Sequence, residues 1–153
     1  MAWLKSLFRP PQPAGPPRPI AQFDSTRATL SESGASDEPG WHFDCGDSQT
    51  LRLFEVDPGE IENGMVTYRA SLKGEDIGGR AYLEMWCAFP GQGEFFSRGF
   101  HNALKGSSDW ASYEIPFYLK KRQRPNLLKL NLAVEGGGKL WIRDIELSFT
   151  PFK

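Results

Sequence analysis

Apolar and polar positions alternate with a period of two through most of the second half of the chain. Val66, Tyr68, Ala70 and Leu72 alternate with Thr67, Arg69 and Ser71. Ala81, Leu83, Met85, Cys87 and Phe89 alternate with Tyr82, Glu84 and Trp86, and Leu128, Leu130, Leu132 and Val134 alternate with Lys129, Asn131 and Glu135. A period of two places successive side chains on opposite faces, so each run predicts a strand with one buried face. Trp41–Asp44, Thr50–Val56, Glu94–Arg98, Trp110–Leu119 and Lys139–Phe149 predict further strands. They are separated by turn-forming Asp57-Pro58-Gly59, Glu62-Asn63-Gly64, Pro90-Gly91 and Gly136-Gly137-Gly138. Short strands with no long amphipathic helix between them predict an all-β, antiparallel β-sandwich of the jelly-roll kind. Pro116 cannot donate a ladder hydrogen bond, which puts its strand at an edge or a bulge.

The first forty residues follow a different pattern. Trp3, Leu4, Leu7 and Phe8 fall on one helical face with Lys5 and Arg9 outside it. This amphipathic foot, at about two turns, is too short to be stable alone in water. It needs a membrane surface, a partner's groove or its own domain to pack on. Residues 10–19 hold six of the twelve prolines and predict a polyproline II spacer. Polar, small residues continue to Gly40, with a short strand conceivable around Ala28–Leu30. The expected organisation is a short amphipathic segment over 1–9, a Pro-rich and polar linker over 10–40, and the sandwich over 41–153. The opening residues lack the apolar core and small-residue cleavage site of a secretory signal, so a cytoplasmic position, peripheral at a membrane, is expected.

Five Trp, eleven Phe and four Tyr supply enough large apolar surface for one core in 153 residues. Lys and Arg number 18 against 19 Asp and Glu, for a net charge of −1. The near balance hides a division: residues 1–27 carry +3, residues 28–64 carry −8, and residues 65–153 carry +4. Without a strong positive field, no nucleic-acid partner is expected. Lys120-Lys121-Arg122-Gln123-Arg124 is the only dense basic run and reads as a solvated loop. The two cysteines, Cys45 and Cys87, give no disulfide framework, although one bridge between them is open in an exported chain. Only His42 and His101 are present, neither in metal-ligand spacing, so no metal and no cofactor are expected. Asp44, Asp47, Glu55, Asp57, Glu60 and Glu62 offer oxygen ligands but lack the spacing of a calcium loop.

Three segments carry a resemblance. Gly106-Ser107-Ser108-Asp109-Trp110 opens a run that ends at Ile115-Pro116-Phe117. Leu128–Leu132 follows, and then Gly137-Gly138-Lys139-Leu140-Trp141-Ile142-Arg143-Asp144-Ile145-Glu146-Leu147. Together with Gly64–Tyr68 and Arg80–Trp86 they resemble the galactose-binding-like jelly roll shared by many carbohydrate-binding modules. The resemblance covers about residues 41–149 and implies a sandwich, with Trp110 capping one end and a last strand closing the sheet. Arg143 departs from the pattern, which usually has Asp there. Because one sandwich hosts many functions, the likeness speaks for fold more than for ligand.

Tyr82, Glu84 and Trp86 share the non-core face of one strand, and Arg69 is expected on the equivalent face of another. Pyranose faces stack on such rings, while Glu and Arg hydrogen-bond hydroxyls directionally. The same residues also fit a second small core with a buried Arg69–Glu84 pair, roofed by the tail or a loop. The expected function is a non-catalytic module that binds a glycan or other polar ligand through Arg69, Tyr82, Glu84 and Trp86. The alternative is an intracellular protein-interaction or scaffold domain held to a membrane or partner by Trp3, Leu4, Leu7 and Phe8. Glu84 and Glu114 are the candidate acid and nucleophile for glycoside hydrolysis, and no catalytic motif surrounds either.

Overall fold

A computed structural model describes residues 11–153. Nine strands occur among them: β1 (Arg18–Phe23), β2 (Ala35–Asp37), β3 (Gly40–Cys45), β4 (Gln49–Val56), β5 (Gly64–Phe89), β6 (Gly93–Arg98), β7 (Leu104–Leu119), β8 (Leu127–Val134) and β9 (Gly138–Pro151). All pairings are antiparallel.

The alternating runs at 66–72 and 81–89 belong to one strand, β5, at which a single nine-stranded hydrogen-bonded sheet bends into two layers, the first and second sheets of a sandwich. Its first half lies between β7 and β9, with Tyr68 opposite Ile115 on one side and Leu147 on the other. Its second half lies between β6 and β8, with Trp86 opposite Phe96 and Lys129. β3 and β1 extend the first sheet beyond β9, and β4 extends the second beyond β8. The sequence suggests a gap at Lys73–Arg80, but these residues bend the strand instead. Asp76 has φ of 56°, and a side chain on Gly78 would meet the Gly136 carbonyl at 2.4 Å. Backbone hydrogen bonds from Gly78 to Gly137 and from Gly79 to Glu135 hold the bend against the β8–β9 turn. Only glycine permits that approach, and positive φ at Gly136, Gly137 and Gly138 makes the matching turn.

Inward-facing residues of both sheets form one core, including Tyr68, Leu72, Met85, Leu130, Leu132 and Ile142, each 0% exposed. The Tyr68 hydroxyl, deep in this core, donates to the Asn131 backbone carbonyl across the sheets at 3.1 Å. Burial raises its pKa far above the ordinary phenol value.

Residues assigned by composition to the linker take part in the sheet. β1 runs along β9 from Arg18 opposite Phe149 to Phe23 opposite Ile145. Phe23 is buried and stacks on Phe54 at 4.1 Å, and Arg27 lies over both rings at 4.8 and 5.5 Å. Trp41 donates its indole N–H to the Arg27 carbonyl at 2.8 Å. Upstream, Pro13 bridges to Phe152, and Ala14 donates to the Pro151 carbonyl. The Pro-rich segment thus lies against the end of β9: the apolar side chains of Phe23 and Ile20 find a sheet edge that a composition argument does not reveal. Ala28–Leu30 is a strap and not a strand, in which Leu30 and Ser31 donate backbone bonds to Leu53 and Arg52 of β4. The amphipathic foot with Trp3, Leu4, Leu7 and Phe8 lies outside the described residues. Pro116 sits on β7, which among the described residues pairs only with β5 and is an edge.

Candidate functional site

The outer face of β4, β8, β5 and β6 holds a groove of about 290 Å³ that crosses the strands. Trp86 of β5 and Lys129 and Asn131 of β8 line its middle. Thr50, Arg52 and Glu55 of β4, with Leu30 of the strap, form one end, and Glu94 of β6 forms the other. Alternation explains the arrangement: Leu83, Met85 and Cys87 turn inward and are 0 to 1% exposed, so Tyr82, Glu84 and Trp86 must turn outward.

Glu84 is the anchor of this face, and its residue is only 4% exposed. Its Oε2 accepts from Arg98 Nε at 2.7 Å, and its Oε1 accepts from Asn131 Nδ2 at 2.9 Å and from Trp86 Nε1 at 3.0 Å. Burial pushes the carboxyl pKa up, but the hydrogen bonds from Asn131, Arg98 and Trp86, with the Arg98 charge, outweigh it. The net position is below the ordinary glutamate value. Glu84 is therefore a held anion that orients the Trp86 indole by its N–H.

Rings and guanidinium groups alternate along the same face. Tyr82 meets Phe100 edge-on at 4.9 Å, and Arg80 lies 5.3 Å from the Tyr82 ring and 4.4 Å from Phe100. Arg98 lies 3.9 Å over Phe96, which in turn meets Trp86 at 5.2 Å. Cation and ring attract through the ring quadrupole, so the array fixes its own geometry. The covering by Phe100 and Arg80 leaves Tyr82 8% exposed, whereas Phe96 is 48% exposed and Trp86 is half-buried at the groove floor. Polar walls are set in pairs, Lys129 with Glu94 at 2.7 Å and Arg52 with Glu55 at 3.2 Å. Donors and acceptors thus ring an indole, the layout that hydroxyl-rich ligands require.

Of the four residues proposed from sequence, three share this face and one does not. Arg69 lies in the first half of β5, on the outer face of the other sheet, between Glu114 at 3.6 Å and Glu146 at 3.1 Å. The bend at 73–80 separates it from Glu84, so the imagined Arg69–Glu84 pair is replaced by Arg98–Glu84. Tyr82 is covered, which denies a ligand its ring face. Glu84 and Glu114 lie on different layers with separate cationic partners, Arg98 and Arg69, so these two carboxylates do not share one site. Arg98, Phe96, Phe100, Lys129 and Asn131 escaped the sequence reading. The hairpin turn at Pro90-Gly91 carried a usable signal, because closing it sets Phe96 opposite Trp86 and Arg98 opposite Glu84.

The other features fall into place around these faces. Cys45 and Cys87 are both buried and free, and burial pushes the Cys87 thiol up to about 12. Arg124 and the Arg122 backbone N–H both bind Glu62, which ties down the basic run. Trp110 is half-buried on β7 with Arg143 lying 4.0 Å over its ring, so the residue that departs from the expected Asp serves as a cationic lid. Among the described residues no three His, Cys, Asp or Glu side chains are grouped to hold a metal ion.

No protein-family model matches the sequence, and no curated protein matches it. Solved structures do match. A Clostridium thermocellum endo-1,4-β-D-xylanase 10B structure, described as CBM22-1-GH10 modules complexed with xylohexaose, aligns with a TM-score of 0.59 at 9% identity. That alignment covers 85% of this chain and 28% of the other. The structure called BiXyn10A CBM1 aligns at 0.51 with 14% identity, over 86% of this chain and 98% of that one. The fold is the jelly-roll sandwich of carbohydrate-binding modules. A structure of infectious bursal disease virus Gx strain also aligns, at 0.55 with 11% identity, over 90% of this chain and 33% of that one. At such identities this jelly roll fixes the architecture and leaves the ligand to the groove's own chemistry.

Proposed function

We propose that the chain is a non-catalytic, carbohydrate-binding-like module that takes a glycan in the groove on β4, β8, β5 and β6. The observation that carries this reading is the Trp86 indole at the groove floor, its edge fixed by buried Glu84 and its surroundings lined with paired donors and acceptors. A sugar's apolar face would stack on the ring while Lys129, Glu94, Arg52 and Thr50 meet its hydroxyls. The groove crosses four strands, from Thr50 and Arg52 on β4 to Glu94 on β6, which suits a run of linked sugars better than a single terminal sugar. The xylohexaose named with one structural neighbour makes xylo-oligosaccharides the first ligands to test.

Titration of the full chain with a panel of soluble β-linked glycans, followed by tryptophan fluorescence and calorimetry, tests the reading. A saturable response that falls tenfold or more in Trp86→Ala, about 1.4 kcal/mol of binding, is expected. The reading fails if the panel gives no response up to millimolar ligand. It also fails if binding is unchanged in Trp86→Ala. No glycan cleavage is expected in the same samples.

A further inference from the structure

The strand at one end of the groove, β6, is an edge that pairs only with β5 among the described residues. It reads Gly93-Glu94-Phe95-Phe96-Ser97-Arg98, and Phe95 and Phe96 are 50% and 48% exposed. Phe100, just beyond the strand, is 40% exposed, so three of the five large exposed apolar side chains among the described residues gather here. Natural sheets protect their edges by charge, proline or cover, and a six-residue edge with two open phenylalanines invites another strand.

We infer that β6 pairs antiparallel with β6 of a second copy of this chain, joining the two groove-bearing sheets into one. A continuous sheet formed about a two-fold axis must set residues of the same face opposite one another. The axis then passes through a residue and not between two. With the axis at Phe96, that ring meets its own copy, and Glu94 stands opposite Arg98 of the other chain at both ends. With the axis at Phe95, Glu94 would face Phe96 instead, and no charge would be matched. The first register is the self-complementary one.

Its partners also have capacity left. Arg98 uses Nε on Glu84 and Glu94 uses Oε1 on Lys129, which leaves the Arg98 Nη groups and Glu94 Oε2 for the dyad. Opposite charges across strands and facing aromatic rings each favour the pairing. In the joined sheet, both grooves open on the same side and meet at β6, related by the dyad. One directional polymer would therefore run through them in opposite senses, so the pair suits two neighbouring polymer chains and gains avidity on an array. The pairing rests on the edge itself, and only its consequence for polymer chains rests on the glycan reading.

Sedimentation equilibrium of the full chain gives the first test, with mass expected to rise with concentration from 17.2 kDa towards twice that value. Glu94→Arg sets like charges opposite each other twice, and is expected to weaken the dimer by at least tenfold while the melting transition persists. Phe96→Cys reports the register, because its thiol would lie against its own copy within disulfide range and oxidise to a cross-linked dimer. Phe95→Cys is expected to stay monomeric under oxidation. The native cysteines are both buried and supply little background. A chain that is monomeric throughout the micromolar to millimolar range overturns the inference. So does a dimer indifferent to Glu94→Arg, or cross-linking through Phe95→Cys in place of Phe96→Cys. None of these readouts uses a glycan, so failure here leaves the binding proposal to its own titration.

Discussion

On the outer face of the first sheet, Arg69 stands half exposed between Glu114 and Glu146, at 3.6 and 3.1 Å. On the outer face of the second, Arg98 meets Glu84 at 2.7 Å, and the carboxylate side chain is 6% exposed. Both faces use the same two ions on the same strand or its neighbour, yet they do different work. Around Arg69 water screens each charge, and the trio is a solvated decoration. Around Glu84 water is excluded, the carboxylate is held by three donors, and a ring array is built on it. Burial and hydrogen-bond saturation, more than the presence of opposite charges, distinguish a structural ion pair from a surface one.

Removing the buried anion should break the comparison most strongly. Glu84→Ala leaves the Arg98 guanidinium, the Asn131 amide and the Trp86 N–H without their shared acceptor, and should cost about 3 kcal/mol in urea denaturation. Trp86 should also report a changed fluorescence, because its indole loses the bond that orients it. Acid offers a second route. The folded Glu84 carboxyl titrates below the ordinary value, so the unfolded chain binds this proton more readily than the folded one. Its contribution is complete above the unfolded value of about 4.3 and is lost as pH falls from there through the folded pKa. The stability gap between the native chain and Glu84→Gln should therefore shrink below about pH 4.3.

Two smaller changes sharpen the contrast. Tyr68→Phe removes the hydroxyl that reaches from the first sheet to the Asn131 carbonyl of the second, and should cost about 1 kcal/mol, measured the same way. Arg69→Ala should cost less than about 1 kcal/mol, and salt should shrink even that. A loss at Arg69 equal to that at Glu84 would show that exposure does not divide the two faces.

The strands were legible because their signal is local. Leu83, Met85 and Cys87 alternate with Tyr82, Glu84 and Trp86, and nothing tertiary is needed to see which face is buried. The part played by residues 18–23 was not legible, since Ile20 and Phe23 are too few to show a period and need the edge of β9 to become a strand. The separation of Arg69 from Glu84 depends on the bend between them. Its glycines read as a loop, although their true role is close approach to the Gly136–Gly138 turn. Sequence pattern assigned faces correctly within each half of β5, but could not tell that the halves belong to different sheets.

The strand that serves both sheets also sets the order in which the molecule can be made. Every partner of β5 lies downstream of it, at residues 93–98, 104–119, 127–134 and 138–151. β6, β7 and β8 can each pair with it as they emerge, but the β9 side of its first half stays open until residues 138–151 have been synthesised. The final strand then closes on Gly64 through Pro151, across nearly ninety residues. Such distant closure places folding in about the millisecond-to-second range. Until that closure the Val66–Leu72 run has β7 on one side and an open apolar edge on the other, and the nascent protein, not the finished one, carries the greater hazard of misassociation.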